Sequence, residues 1–245
     1  MHKLKLFISM FFAVPLFVVT VMISLLAGLF KKIGLVKFGD NWQRFWLRIT
    51  IWCIFVCFNG KLIVKGKENL PKPGEKAVFI GNHQSMMDIP AVYGAGVWGG
   101  VIGKIELKKV PVLNWVMMQL GCVFIDRKNM RESMKAIIKG TEYVKNGRPM
   151  LIFPEGTRSK TREFLDFKAG SFRMATKAKA VIHPIAIQNS RVLFEDAHSF
   201  KRVPVYVSIL PPVDTADMDE EELKAVPEMI KEMILKEYET LPRVN

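Results

Sequence analysis

From Leu6 to Phe30 the chain runs for 25 residues without a formal charge. Wound into a helix at about 1.5 Å per residue, such a run is longer than the apolar core of a bilayer, about 30 Å. In water it would expose apolar surface on every side, so lipid is its expected environment. A cleaved secretory leader is the competing reading, because Met1–Lys5 is short and basic. The apolar stretch is too long for one, and it has no clean small-x-small cleavage site. Lys3 and Lys5 precede the run, while Lys31, Lys32 and Lys37 follow it. Charge therefore leaves open whether the helix crosses the bilayer or stays in one leaflet. Pro15 and Gly28 are places where it can bend.

The next stretch, Trp42–Phe58, carries Trp42, Phe45, Trp46, Trp52, Phe55 and Phe58, with Arg44 and Arg48 near its start. Such a composition suits the headgroup boundary. An ordinary core helix is the alternative, since apolar residues continue almost all round from Ile49. Residues 1–60 are thus expected to form a membrane-embedded or interfacial two-helix motif, and residues 61–245 an α/β domain.

Charge is divided unevenly along the chain. Residues 1–70 hold 10 Lys+Arg against 2 Asp+Glu, residues 71–213 hold 22 against 11, and residues 214–245 hold 4 against 10. A basic body behind an apolar anchor is drawn to anionic headgroups and to anionic soluble substrates. Nucleic acid is the other partner class that basic character suggests, but no binding motif for it is present, so none is expected. Cys53, Cys57 and Cys122 offer neither a disulfide framework nor a CxxC pair, which fits a reducing, cytoplasmic setting.

Beyond Gly60, short β-rich runs alternate with helical stretches and turn residues. The expected fold class is α/β, with a mixed, largely parallel sheet of about seven strands flanked by helices. Strands are expected at Leu62–Lys65, Ala77–Gly81, Val97–Gly103, Cys122–Asp126, Met150–Phe153, Val181–Gln188 and Val203–Leu210. The clearest helix runs over Met130–Asn146, with Met134, Ile137, Ile138, Thr141 and Val144 on one face, Asn129 as its cap and Gly147 as its end. A last helix, Asp219–Glu239, begins acidic, as the helix dipole favours.

Two clusters can carry chemistry. The strand ending at Gly81 leads into Asn82-His83-Gln84-Ser85-Met86-Met87-Asp88, which puts a histidine at a strand end, where open α/β sheets hold ligands. His83 and Asp88 are too far apart on a regular helix but meet if the chain turns back. Asp88 can then fix the imidazole tautomer and leave His83 as a general base. A five-residue His-to-Asp spacing also arises by chance, and a strand-end histidine is commonly just hydrogen-bonded. The second cluster is the loop Pro154-Glu155-Gly156-Thr157-Arg158-Ser159, whose glycine permits a backbone nest and whose Thr157 and Arg158 can grip phosphate oxygens. A plain turn with a Glu155–Arg158 ion pair is its ordinary alternative.

NHQSMMD followed about 70 residues later by FPEGTRS resembles the paired signatures of the glycerolipid acyltransferases. Between them GKIEL, VPVLNW and GCVFIDR, and after them FKAG and VIHPIAI, are similar to the family's other blocks in order and spacing, over roughly Ala77–Ile187. The resemblance implies transfer of a fatty acyl chain from acyl-CoA or acyl carrier protein to the sn-2 hydroxyl of lysophosphatidic acid. The product would be phosphatidic acid, an intermediate of phospholipid synthesis. It further implies His83 as the base that deprotonates that hydroxyl, with Asp88 orienting it. Lys104, Arg127, Glu155, Gly156, Thr157 and Arg158 would shape the phosphate site, with Glu155 orienting rather than touching the ligand. No cofactor beyond the acyl donor is implied, and no metal is expected, since no histidine stands at ligand spacing from a cysteine. The expected location is a membrane, with the catalytic domain on its cytoplasmic face.

Two residues depart from the family pattern: Asn114 stands before Trp115 where a small residue is common, and His183 before Pro184 where an aliphatic one is usual. A packed or hydrogen-bonded histidine is the expected reading of His183, with a second catalytic histidine as the alternative. Phe164, Leu165 and Phe167 are candidates either for dipping into lipid or for the core. Rival functions are transfer to another lysophospholipid, lipid hydrolysis and non-catalytic lipid binding. A serine hydrolase is disfavoured by the absence of a GxSxG elbow.

Overall fold

The computed structural model of the protein describes residues 2–161, 163–196 and 201–244. Two helices come first, α1 (His2–Lys32) and α2 (Val36–Cys57). They form a hairpin that turns at Gly34, whose φ of 90° is a left-handed value that glycine adopts freely. The helices approach closely at Gly39, where a Cβ would stand 2.8 Å from the Ala27 carbonyl oxygen. Polar bridges line the seam: Thr20 Oγ1 and Thr50 Oγ1 lie 2.9 Å apart, and Lys31 Nζ reaches Asp40 at 2.7 Å and Gln43 at 3.1 Å.

Among the described residues no helix is long and apolar enough to cross a membrane, so a crossing form of the amino-terminal motif is not supported. Part of α1 is turned inward instead, with Ser24 and Ala27 buried. Other residues face outward: Val18, Val19, Met22, Leu25, Leu26 and Leu29 on α1, and Phe45, Trp52 and Val56 on α2, are all exposed. Helix α2 is at once a core helix and an exposed one, because Ile51 and Phe55 are buried against the sheet.

The chain continues through β1 (Gly60–Lys65), β2 (Ala77–Gly81), α3 (Asp88–Gly94), β3 (Gly100–Lys104), α4 (Pro111–Gln119), β4 (Val123–Ile125), α5 (Met130–Lys145) and β5 (Met150–Ile152). It ends with α6 (Arg173–Ala178), β6 (Val181–Gln188), α7 (Ser190–Leu193), β7 (Val203–Ile209), β8 (Val213–Asp214) and α8 (Glu220–Thr240). Among the described residues the strands form one eight-stranded sheet in the order β1-β7-β6-β2-β5-β3-β4, with β8 paired to the start of β6. Every pairing is parallel except those of β6 with β7 and with β8. The expected sheet is found, with β8 as an unanticipated short addition.

One face of the sheet is covered by α5, α6 and α8, the other by α2, α3 and α7. Helix α8 presents Val226, Ile230, Ile234 and Tyr238 at intervals of four, all buried, and starts with a capping box between Asp219 and Glu222. Asn129 caps α5 as expected, accepting from the Arg131 and Glu132 amides. The buried face of α5 is the expected one at Ile137, Thr141 and Val144 but not at Met134 and Ile138. Ala136, Ile137, Gly140, Thr141 and Val144 are inward, while Met134 and Ile138 are exposed. Gly140 sits so close to α6 that a Cβ would come within 2.5 Å of Met174 Sδ, and this close approach sets the helix's rotation.

Strands β2 and β5 are neighbours and run parallel, yet the helices that follow them lie on opposite faces, α3 on one and α6 on the other. A crevice opens beyond the carboxyl ends of such a strand pair. Both chemical clusters of the sequence fall there.

Candidate active site

Strand β2 stops at Gly81 because Asn82 replaces backbone pairing with side-chain pairing. Its Nδ2 donates to the Ile187 carbonyl at 2.9 Å, and its Oδ1 accepts from the Ile187 N–H at 2.8 Å. The chain then turns tightly. Asp88 is fully buried, and its Oδ2 accepts from the N–H groups of Gln84 at 2.7 Å and Ser85 at 2.8 Å. The same oxygen lies 2.7 Å from His83 Nδ1, which brings the pair together as expected. Phe153, just beyond β5, stacks on the imidazole with centroids 4.2 Å apart and 13° between planes. The ring is thus fixed from one nitrogen and one face, and Nε2 is the nitrogen left for chemistry.

Every amide of this turn is committed. The His83 N–H donates to Glu155 Oε1 at 2.6 Å, Met86 to Glu195 Oε1 at 2.9 Å and Met87 to Ser85 Oγ at 3.0 Å. Together with the Asp88 bonds they occupy all five N–H groups from His83 to Met87. An oxyanion formed in the reaction must find its donors elsewhere.

Glu155 is 2% exposed and bridges two segments, since its other oxygen accepts from the Leu165 N–H at 3.1 Å. Burial raises its pKa to about 7, the two amide bonds and His83 opposing that rise. It props the His83 turn from behind. Gly156 follows with φ 74°, the left-handed value the loop requires. The alternative Glu155–Arg158 ion pair is not formed: Arg158 Nη1 bonds Glu195 at 3.0 Å.

His83, Lys104, Arg127, Thr157 and Arg158 line one cavity of about 560 Å³. Five of the eight residues singled out in the sequence therefore share one space, Asp88 bonds to it through His83, and Glu155 and Gly156 stand outside the lining. Away from the cations the walls are apolar: Leu47, Ile51 and Ile54 from α2, Leu113, Val116 and Met117 from α4, and Tyr93 and Val101 between them. A cavity lined both by cations and by apolar side chains suits a ligand with an anionic head and a hydrocarbon tail. Lys104 also pairs with Glu106 at 2.9 Å on the surface.

His183 takes the packed role. Its Nδ1 faces the Asn69 carbonyl and its Nε2 faces Glu75 Oε1, each at 2.7 Å, and it is 2% exposed. Phe164 and Phe167 pack against the core, whereas Leu165 is exposed. Sequence reasoning missed Glu195, which touches both clusters. No local motif marks it, because its partners lie 37 to 110 residues away.

A family model described as Acyltransferase matches residues 61–188. The chain is 30% identical over 201 residues to the 1-acyl-sn-glycerol-3-phosphate acyltransferase of Borreliella burgdorferi, covering 81% of this chain and 78% of that one. It is 35% identical over 192 residues to the protein of the same name from Saccharomyces cerevisiae, covering 74% of this chain and 62% of the yeast one. Among solved structures, the crystal structure of the 1-acyl-sn-glycerophosphate acyltransferase PlsC from Thermotoga maritima superposes with a TM-score of 0.78 at 27% identity, covering 98% of this chain and 97% of that one.

Proposed function

The chain belongs to the acyltransferase family, and from that premise we propose that it moves a fatty acyl chain from acyl-CoA or acyl carrier protein to the sn-2 hydroxyl of 1-acyl-sn-glycerol-3-phosphate, forming phosphatidic acid. One observation carries this reading. His83 Nδ1 is held 2.7 Å from Asp88, and the ring borders a cavity lined by both cations and apolar side chains. The relatives' printed names supply the acceptor.

In this mechanism Nε2 of His83 takes the hydroxyl proton as the glycerol oxygen attacks the thioester carbonyl. A positioned base contributes about 10²–10⁴-fold, which a weak nucleophile needs and an activated thioester does not. Asp88 keeps Nδ1–H in the donating tautomer and stabilises the imidazolium. The tetrahedral adduct collapses, the thiolate leaves, and the imidazolium returns the proton to it. No acyl-enzyme forms. Lys104, Arg127, Thr157 and Arg158 hold the acceptor's phosphate, and Glu155 with Gly156 shapes the loop that presents them. No cofactor takes part.

We place the protein on a membrane, held by the exposed apolar residues of α1 and α2 with the basic body on the cytoplasmic side. In this reading lipid covers these exposed apolar side chains. The donor is anionic and cytosolic, and the acceptor partitions into lipid. Purified protein given lysophosphatidic acid and each labelled donor in turn tests the reading. Labelled phosphatidic acid is expected; free fatty acid as the main product would make the protein a hydrolase, and preference for a lysolipid without a terminal phosphate would refute the acceptor.

A further inference from the structure

We infer that Glu195 is the positioning residue that sets Arg158 against the turn carrying His83, and so fixes the span between the base and the acceptor's phosphate. The inference rests on the acyl-transfer reading above. Glu195 follows α7, far in sequence from both partners. Its carboxylate accepts from the Ser85 hydroxyl at 2.5 Å, the Met86 N–H at 2.9 Å and Arg158 Nη1 at 3.0 Å. Two of these donors belong to the base-bearing turn and the third to the anion loop. One carboxylate therefore ties the two clusters together.

The segment that carries it is itself clamped. Arg191 bonds Asp196 through Nε at 2.8 Å and Nη2 at 3.0 Å, and its Nη1 reaches the Ser159 carbonyl at 3.4 Å. Glu195 is thus held on both sides of the crevice before any ligand arrives. A surface arginine without such a brace samples many rotamers and must be ordered at each binding event. Arg158 carries five N–H donors, and Glu195 engages only Nη1, which leaves the rest of the fork for a phosphate. Because Glu195 already accepts three donors, it serves as a brace rather than a competitor for the cation.

This arrangement has a consequence for specificity. In a glycerol phosphate the free hydroxyl and the phosphate are separated by a short, nearly fixed span. A base and a cation locked at one separation select acceptors with that span, and a loosened cation does not. Glu195 is therefore a specificity-determining residue as well as a positioning one.

The test is a double-mutant cycle on the full chain, with lysophosphatidic acid as acceptor and acyl-CoA as donor. Glu195→Ala is expected to raise the acceptor KM about tenfold while leaving the donor KM unchanged. Glu195→Gln keeps an acceptor oxygen for Met86 and Arg158 and recovers most of that loss. In an Arg158→Ala background, Glu195→Ala should add little, because the cation it positions is gone. Full multiplication of the two defects would overturn the inference, as would equal rises in donor and acceptor KM, or a lowered acceptor KM in Glu195→Gln. If Arg158→Ala alone leaves the acceptor KM unchanged, the phosphate assignment has failed and Glu195 has nothing to position. Should Glu195→Ala not fold, Ser85→Ala removes one anchor of the carboxylate and must show a smaller rise confined to the acceptor; no rise there also overturns it.

Discussion

Among the described residues the protein contains two imidazole–carboxylate pairs of the same length, on opposite sides of the middle of β2. His83 and Asp88 lie 2.7 Å apart beyond the carboxyl end of β2, and His183 and Glu75 lie 2.7 Å apart toward its start, with Glu75 preceding the strand and His183 paired with its middle residue, Phe79. Their surroundings differ. At the second pair both ring nitrogens face acceptors and the histidine is sealed from solvent. At the first, the carboxylate takes one nitrogen, a phenylalanine takes one face, and the other nitrogen is left at a cavity with four polar or cationic side chains. A histidine–carboxylate contact is therefore not in itself a site. What distinguishes a base from a strut is the unengaged nitrogen and the charge that faces it.

Replacing each histidine should separate the two ends cleanly. His83→Ala is expected to lower kcat by about 10²–10⁴-fold with only a small fall in melting temperature, because Asp88 keeps the Gln84 and Ser85 amides as partners. Steady-state transfer and a thermal melt on the same preparation measure both. Transfer at the wild-type rate in that variant would remove the base and with it the contrast between the ends.

The contrast also explains what could be read in the sequence. Strands β2 and β6 fall on the expected spans because largely apolar runs end at polar residues, Asn82 in one case and Gln188-Asn189 in the other. The His83–Asp88 pair was legible because its partners are five residues apart and joined by one turn. The expected face of α5 includes Ile137, Thr141 and Val144, which are buried, but it takes in Met134 and Ile138 and leaves out Ala136 and Gly140, because periodicity rewards large apolar residues and these two have little hydrophobic weight. Strand β8 was invisible, being two residues between prolines and a threonine. Glu195 was invisible for another reason: it is one carboxylate in a polar loop, and only the fold brings it to Ser85, Met86 and Arg158.

Glu155 sharpens the comparison, because it is a buried acid behind the open end and its titration can be read in stability. Burial raises its pKa from the usual 4.5 to about 7. Between those values the folded protein holds the proton and the unfolded chain does not, so the contribution is complete below about pH 4.5 and is lost as pH rises through about 7. Glu155→Gln stays neutral throughout. Wild type should therefore lose up to about 3 kcal/mol relative to that variant across the window, measured by denaturant unfolding at both ends of it. Parallel pH dependences would mean that the carboxyl beneath the His83 turn does not titrate there.

At the sealed end the expectation is reversed. His183→Ala removes a ring that bonds the Asn69 carbonyl and Glu75, and leaves both without that partner. A loss of about 2 kcal/mol is expected from such unsatisfied groups, with kcat of the folded fraction unchanged. Denaturant unfolding and transfer rates on the same samples decide it. A specific fall in kcat at undiminished stability would give His183 a part in the chemistry and erase the distinction between base and strut.

The smallest effect belongs to Lys104. It lines the cavity, but 56% of its side chain is exposed and Glu106 already holds its ammonium at 2.9 Å. An exposed ion pair contributes little and is screened by salt within a Debye length of about 8 Å at physiological ionic strength. A phosphate that recruits this lysine gains little more than the pair it displaces. Lys104→Ala should thus raise the acceptor KM by only about two- to fivefold, the magnitude of a surface pair. The defect should fade as salt is added, whereas the braced Arg158 keeps its contribution because its geometry is set by the fold. Measuring the acceptor KM of both variants at low and high salt separates the two kinds of cation. A Lys104 defect as large as that of Arg158 and insensitive to salt would show that Lys104 too is held in a fixed frame, and would erase the distinction between the two cations.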